Sequence, residues 1–466
     1  MPRACRIRSA ALTLSLALAV ASGASAQPRG TPRADAGRGI AEKALRNGMR
    51  VIVWPDHDIP NVAMYTWYRV GSRNERPGIT GLSHFFEHMM FNGSEKYPSG
   101  EFDRVTEGNG GADNAFTSED VTCYQNWFPR EILELIFKLE SDRICCLSFD
   151  PKMVESERQV VYSERRTTVD DDNESLLAEQ VQAAAYTAHP YHIPIIGWPS
   201  DIERWSIDDL TGYFRTYYAP NNATMIVVGD VAPSEVFALA EKYFEPIPAQ
   251  PAPPAVTTRE PPQLGERRVT LRKSAQTPLL QMAFHTGPAD DSEAEARGIL
   301  MNILVAGESS RLHRRLVEED QAAVSVRGYV SPEGFDPGLV WFFVTVPPEK
   351  TVEATERALL DELSKIARAG VSAEEIQKAR NTMLARYWRS MKTIDSKAEG
   401  IGIFEVLRGG YRRLFSAPER YNKVTLAQVQ ALARSLFDER NRTVGVLIPD
   451  TEPRAQAGPS EGGSAR

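Results

Sequence analysis

A pattern of helix, turn and strand closes the first half of the chain and returns near its end. In the first half it runs over residues 208–231, with the strand at 225–228. In the second half it runs over residues 426–448, with the turn at Asn441. The separation is roughly 214 to 221 residues, well beyond the period of a solenoid. We therefore predict an internal duplication that yields two related domains.

Apolar periodicity predicts further elements on both sides of a proline-rich stretch. The first half has predicted strands at 49–54 and 62–70 and predicted helices at 80–91 and 129–143. The second half has predicted strands at 269–271, 279–284 and 340–346 and predicted helices at 293–305 and 373–391. The expected organisation is a domain over 38–245, a linker over 246–263, a domain over 264–450 and a disordered tail over 451–466.

The first 26 residues have the pattern of a cleaved signal peptide. Three arginines precede an apolar run over residues 10–20, and small residues follow at 24–26. The apolar run is shorter than the roughly 18 residues that a membrane-spanning helix needs. A mitochondrial presequence is the alternative, because the first acidic residue is Asp35. We expect a periplasmic or secreted protein without a membrane span.

The net charge argues against nucleic acid binding, and the cysteine content argues against a disulfide framework or a thiolate zinc site. A formal net charge of -8 and a pI near 5.6 argue against nucleic acid as the main partner. Once Cys5 leaves with the signal peptide, Cys123 and the adjacent Cys145 and Cys146 remain. An adjacent pair rarely bridges itself, and an odd number of cysteines with no CxxC spacing predicts neither a disulfide framework nor a thiolate zinc site.

The segment His84-Phe85-Phe86-Glu87-His88 carries the clearest chemical signal in the chain. Two histidines four residues apart lie on one face of a helix, which suits two imidazoles that hold one metal ion. Glu87 is placed to act as the base for a water that the ion activates. The alternative is a chance pair of core histidines, which would be costly to bury without partners. In the duplicated half the matching positions are Gly298, Met301 and Asn302, so the polar set is present in one copy only.

The order His-x-x-Glu-His resembles the zinc helix of the pitrilysin and insulinase family, the inverzincins. The likeness covers nearly the whole chain after the signal peptide, and it is greatest to the small bacterial and mitochondrial-processing-peptidase-type members. The resemblance implies one Zn2+ per chain, held by His84, His88 and a glutamate on a later helix. Glu157 and Glu164 match the family's two glutamates. Glu164 is then the third ligand, and Glu157 is a supporting acid that joins Glu87 in the predicted catalytic set.

The resemblance also predicts a substrate-binding strand. The segment over residues 111–117 is similar to the edge strand on which the family lays its substrate, and main-chain pairing would make sequence selectivity loose. The alternative is an ordinary loop and strand. The predicted substrate-binding residues are Ala112, Asn114, Ala115 and Phe116.

One part of the family pattern is missing. Complete family enzymes supply an arginine and a tyrosine, seven residues apart, that bind the substrate carbonyl and the developing oxyanion. After Ser310-Arg311-Leu312 the matching positions here are Val317 and Val324. Some bacterial relatives divide these groups between a zinc-binding subunit and a second subunit. We therefore expect a heterodimer with a homologous chain that supplies the arginine and tyrosine, with a homodimer as the alternative.

The resemblance thus implies an α+β fold of two homologous domains, each a mostly antiparallel sheet packed with helices, arranged around a chamber. The expected activity is a zinc-dependent endopeptidase that hydrolyses peptides or unfolded polypeptides. The alternative is a non-catalytic assembly or peptide-binding subunit. A general peptide scavenger and a dedicated precursor-maturation enzyme both remain open.

Overall fold

The computed structural model describes residues 39–450. The predicted signal peptide and the predicted C-terminal tail lie outside these residues. Eleven strands form two sheets within the described range, and these strands are β1 Ala41–Ala44, β2 Arg50–Pro55, β3 Asn61–Tyr68, β4 Ala112–Thr117, β5 Thr122–Pro129, β6 Ala223–Gly229, β7 Arg267–Lys273, β8 Leu279–His285, β9 Ser325–Ser331, β10 Leu339–Thr345 and β11 Arg442–Pro449.

Fourteen α-helices of the described range surround the two sheets. They are α1 Leu82–Met89, α2 Glu101–Gly108, α3 Leu133–Cys145, α4 Pro151–Arg165, α5 Asn173–Ala185, α6 Pro199–Ile202, α7 Ile207–Tyr217, α8 Pro233–Tyr243, α9 Ala294–Val305, α10 Val352–Ala369, α11 Ala373–Ser390, α12 Ile394–Leu407, α13 Arg412–Lys423 and α14 Leu426–Leu436. No described helix has the length and apolarity needed to cross a membrane.

The two sheets repeat one topology. The first has the order β1-β2-β6-β3-β5-β4, and the second has the order β7-β11-β8-β10-β9. In both, one pair is parallel, β2 with β6 and β7 with β11, whereas the other pairs are antiparallel. After the extra strand β1, each strand of the first sheet has a counterpart in the second. The predicted duplication and the α+β fold with two mostly antiparallel sheets are confirmed.

Each half of the chain also contributes a helix to the other half's sheet. One face of the first sheet packs on α1, α3, α7 and α8, and its other face packs on α12 from the second half. The second sheet packs on α9, α10 and α14 on one face and on α5 from the first half on the other. The inner strands bury apolar side chains on both faces, so a helix is needed on each side.

Most predicted elements have the expected type, with shifted ends. The helix predicted from residue 129 begins at Leu133, because Pro129 is extended and a 3-10 turn over Arg130–Ile132 precedes the helix. No helix or strand lies between Tyr243 and Arg267, where the linker is predicted. The cysteine prediction is wrong in one respect, since Cys145 and Cys146 form a disulfide. The helix ends at Cys145 and the backbone turns at Cys146, which lets the adjacent side chains meet.

Candidate metal centre

The helix α1 presents the two histidines of the His-x-x-Glu-His segment. It starts after Gly81, whose φ of 88° is in the left-handed region that favours glycine. A Cβ atom on Gly81 would also lie 2.5 Å from the carbonyl oxygen of Ile196, so no other residue fits there. The apolar side of α1 buries Phe85, Phe86 and Met89 in the first core. His84 and His88 therefore share the remaining side, toward α4.

The helix α4 brings Glu164 to the two histidines. Its Oε2 atom lies 3.7 Å from His84 Nε2 and 3.3 Å from His88 Nε2. One ligand atom from each of the three residues lies within 4.8 Å of the others. Ligands at about 2.0 to 2.2 Å from one zinc ion in a tetrahedral site are separated by roughly 3.4 Å. The three side chains thus fit a single zinc ion with one position left for another ligand.

The charges of the cluster also suit a cation. Burial lowers the pKa of His84 to about 4, and the neighbouring His88 acts in the same direction, which keeps His84 neutral as a metal ligand must be. Burial lowers the pKa of His88, but the carboxylates of Glu157 and Glu164 outweigh burial and raise it to about 10. Burial raises the pKa of Glu164, but the His88 ring outweighs that effect and the net direction is downward. Two carboxylates therefore favour positive charge here.

Glu157 orients His88. The two glutamates of α4 are seven residues apart, about two helical turns, so they share one face. Glu157 Oε1 lies 2.8 Å from His88 Nδ1, and its Oε2 accepts a hydrogen bond of 2.7 Å from the Asn92 side chain. The contact to Nδ1 leaves His88 Nε2 facing Glu164, as expected of a carboxylate that orients a metal-ligating imidazole.

Replacing Glu157 by Gln is expected to weaken zinc binding about 10- to 100-fold, because the His88 ring loses the anion that orients it. Titration against a chromophoric chelator measures this affinity. Glu155→Gln on the same helix is the control, since Glu155 contacts only Arg158 and Gln159. Equal zinc affinity for Glu157→Gln and the control would contradict this role.

Glu87 reaches the end of β4 from α1, the helix of the two histidines. Its Oε2 atom accepts a hydrogen bond of 2.6 Å from the Thr117 hydroxyl. Burial raises the pKa of Glu87, while the Thr117 hydrogen bond acts against it. A carboxyl with an upward-shifted pKa, one residue before a metal ligand, is suited to accept and return a proton near neutral pH.

A buried carboxylate caps the start of α1. Glu75 accepts hydrogen bonds of 2.6 Å from the backbone N–H of Gly81 and 2.7 Å from that of Ser83. The Ser83 hydroxyl in turn lies 2.7 Å from the Tyr213 hydroxyl. Gly81 has no side chain to cap the helix, so Glu75 satisfies N–H groups that the helix leaves unpaired.

Replacing Glu75 by Ala is expected to lower the free energy of unfolding by roughly 2 to 4 kcal/mol, because two buried N–H groups lose their acceptor. Urea unfolding followed by fluorescence measures this change. Glu101→Ala in the first turn of α2 is the control, because Glu101 is half-buried and its carboxylate binds the Arg104 side chain instead of capping backbone N–H groups. An unchanged urea midpoint for Glu75→Ala would show that these N–H groups find another acceptor.

The predicted substrate-binding residues form the edge of the first sheet. The strand β4 pairs with β5 on one side and is last in the strand order. Ala112 and Asn114 are exposed, and Ala115 and Phe116 are half-buried. An edge strand presents unpaired N–H and C=O groups to another chain. Its last residue, Thr117, binds Glu87, so this edge leads directly to the metal centre.

The two valines at the positions of the missing family donors offer no hydrogen bond. Val317 packs against the second core, whereas Val324 is 57% exposed beside β9. The nearby candidates have other contacts, since Arg327 pairs with Glu174 and Tyr329 stacks on Phe343. The described residues therefore supply neither an arginine nor a tyrosine at these two positions.

Three supporting residues were absent from the sequence prediction. Thr117 belongs to the segment that resembles the family's edge strand, but its contact with Glu87 depends on how β4 crosses α1. Asn92 and Glu75 flank α1 on either side, and only the folded turns bring them to Glu157 and to the helix start. The sequence carried a signal for Thr117 alone, through its place in that segment.

Two family profiles match the chain. Residues 50–198 match the profile described as insulinase, peptidase family M16. Residues 204–383 match the profile described as peptidase M16 inactive domain. The proposed metal ligands fall in the first range, and no cluster of metal-ligating side chains is found among the described residues of the second.

Similar proteins carry related names. The zinc protease PqqE of Helicobacter pylori is 26% identical over 411 residues, which cover 87% of this chain and 92% of that protein. The uncharacterized zinc protease YmxG of Bacillus subtilis is 28% identical over 404 residues, which cover 86% of this chain and 96% of that protein.

Similar folds occur in solved structures. A protease from Helicobacter pylori has a TM-score of 0.85 at 26% identity and covers 88% of this chain and 99% of its own. An M16-like peptidase from Alicyclobacillus acidocaldarius has the same fold, with a TM-score of 0.77 at 21% identity. The match covers 88% of this chain and 98% of that one. With both profiles matching in order along a fold that repeats one sheet topology, the chain belongs to the pitrilysin and insulinase family of metallopeptidases, peptidase family M16.

Proposed function

We propose that this chain is a zinc-dependent endopeptidase and the zinc-bearing subunit of a dimer. The observation that carries the proposal is the placement of His84, His88 and Glu164 around one point, with Glu87 beside it. Relatives named as zinc proteases support the metal and the reaction class. One Zn2+ per chain is proposed, because the second half offers no ligand set among its described residues and the other cluster, Asp142 with Cys145 and Cys146, has its thiols joined in a disulfide.

The proposed mechanism uses these side chains in sequence. Zinc, when bound, supplies Lewis-acid chemistry that polarises a peptide carbonyl and acidifies water. Glu87 accepts a proton from the attacking water and delivers it to the amine that leaves. Thr117 holds the Glu87 carboxyl at the end of β4. Glu157 holds the His88 ring in place throughout.

The proposed substrate is a peptide or an unfolded polypeptide that adds to the edge of β4. Backbone groups of Ala112, Asn114, Ala115 and Phe116 would pair with it, and such pairing recognises any extended chain. A chamber enclosed by the two homologous domains would exclude folded proteins. Both a scavenging role and the maturation of one precursor are compatible with this geometry.

The proposed partner is a homologous chain that supplies an arginine and a tyrosine. Val317 and Val324 support this, because neither side chain can stabilise an oxyanion. A homodimer that works without the two donors is the alternative. The lack of a donor at Val317 and Val324 also favours the second candidate function, a peptide-binding subunit that holds zinc and does not turn over.

The proposed location is the periplasm or the exterior of the cell. The proposal rests on the signal-peptide pattern of residues 1–26. The periplasmic protease PqqL of Escherichia coli has a related fold, with a TM-score of 0.72 at 19% identity, and this chain covers 48% of it. Mass spectrometry of the secreted protein is expected to find a new N-terminus at Gln27.

The experiment is hydrolysis of a quenched fluorescent peptide library by the zinc-loaded mature chain, alone and with co-purified proteins. We expect cleavage that a chelator abolishes and added zinc restores. Zinc bound without cleavage in either sample would favour the peptide-binding function. Cleavage unaffected by chelation would refute the proposed chemistry.

A further inference from the structure

A cavity of about 460 Å³ opens beside the metal centre. The side chains of His84, Glu87 and Glu164 form one part of its wall, and Glu119 and Gln182 form another. Glu119 belongs to the turn between β4 and β5, two residues beyond the end of the proposed substrate strand. A peptide on β4 would therefore bring side chains near the scissile bond into reach of this cavity.

The turn that carries Glu119 is held in place from both ends. The carbonyl oxygen of Glu119 accepts a hydrogen bond of 3.0 Å from the Arg73 N–H. The next residue, Asp120, lies 2.7 Å from the Arg73 guanidinium and accepts 2.6 Å from the Tyr191 hydroxyl. Ser118 closes the turn on Val121. With its backbone fixed, Glu119 does not turn its carboxyl out to solvent, and the residue is only 5% exposed.

The Glu119 carboxyl lacks a cationic partner among residues 39–450. No lysine, arginine or histidine of this range lies within 4.0 Å of it, and its side-chain contact is a long one, 3.4 Å from the Gln182 amide. A second glutamate in the same wall differs, because Glu179 forms two hydrogen bonds of 2.7 and 2.9 Å with Arg165. Besides the carboxylates of the metal centre, the cavity wall therefore contains one carboxylate paired with an arginine, Glu179, and one without a cationic partner among residues 39–450, Glu119.

An unmatched carboxylate in a buried wall is costly, and a bound cation would offset that cost. Burial raises the pKa of Glu119 to about 7, in agreement with a site that has no cation of its own. Glu87 also faces the cavity and adds negative potential, whereas the charge of Glu164 belongs to the proposed zinc site. A positively charged ligand is thus favoured over a neutral one of the same shape.

We propose that Glu119 determines specificity by binding the side chain of a lysine or arginine that lies close to the scissile bond of the peptide. The inference rests on the proposed peptidase function, since it assigns one side-chain pocket of that substrate. It goes beyond main-chain pairing on β4, which does not distinguish one side chain from another.

The test separates binding from hydrolysis. The inactive Glu87→Gln variant, in the assembled complex, is added to fluorescent peptides, and their anisotropy measures binding. Each peptide has one lysine, placed at a different position from peptide to peptide, and no other charged side chain. A second set carries norleucine in its place. We expect one position at which lysine binds about tenfold or more tightly than norleucine. In the double variant Glu87→Gln, Glu119→Gln this ratio is expected to fall close to one.

The control is Glu131→Gln, which removes an exposed glutamate outside the cavity and should leave the ratio unchanged. Glu119→Lys provides a positive readout, since it should favour glutamate over norleucine at the same position. Zinc content and circular dichroism verify that each variant is folded. A lysine preference that survives Glu119→Gln, or no binding of either peptide set, would overturn the inference. Lysine-selective binding without hydrolysis by the zinc-loaded wild type would refute the proposed function alone.

Discussion

Replacing Glu87 by Gln is expected to lower kcat/KM for peptide hydrolysis by about 100- to 10,000-fold, the range that a positioned general base contributes. Gln keeps the shape and can still accept the Thr117 hydrogen bond. It cannot take a proton from water, so the loss isolates the chemical step. Steady-state kinetics on a peptide selected from the fluorescent library measures the change.

Zinc content is the control for this variant. Glu87 is not among the three residues whose ligand atoms cluster, so Glu87→Gln should bind as much zinc as the wild type. A variant that binds zinc and peptide but does not cleave would agree with the proposed base. Retention of more than a tenth of wild-type kcat/KM would show that another group accepts the proton.

Addition of the homologous partner is expected to raise the activity of the zinc-loaded chain about 100- to 1,000-fold, since this is the usual effect of an oxyanion-stabilising donor. We expect this gain because Val317 and Val324, in the second half of the chain, stand at the positions of the family's arginine and tyrosine donors. Co-purification from the native host identifies the partner, and mixing the two purified chains measures the gain.

A partner in which the expected arginine and tyrosine are replaced by alanine and phenylalanine is the matched control. It should still bind this chain on a native column and yet restore little activity. A pure homodimer that hydrolyses peptides as fast as the mixed sample would contradict the division of labour. In that case a donor from elsewhere in this chain would stabilise the oxyanion.

Sequence reasoning was most successful where a repeat constrained the fold. The duplication followed from apolar patterns, because inner strands such as β2, β3 and β6 are largely apolar and buried on both faces. The fold of two mostly antiparallel sheets was implied by the family resemblance. The edge strands β4 and β9 have mixed, half-exposed patterns. Periodicity alone does not identify such strands, and β4 was expected through family resemblance.

The exchange of α5 and α12 between the halves was not predictable from either half alone. Neither helix has a strong apolar stripe, so only the assembled topology decides which sheet face it covers. The same limit applies to the metal centre. The spacing of His84 and His88 predicts that they share a helix face. The contacts of Thr117 with Glu87 and of Asn92 with Glu157 join separate elements, and that of Glu75 depends on the turn before α1.

The measurement that tests the central claim most directly is the zinc content of the purified chain beside that of Glu164→Ala. It requires neither the partner nor a substrate. After exchange into metal-free buffer, we predict about one zinc ion per wild-type chain and next to none in the variant, because a site of two histidines lacks its third ligand. Equal zinc in both proteins would contradict the assignment of Glu164 and the metal centre built on it.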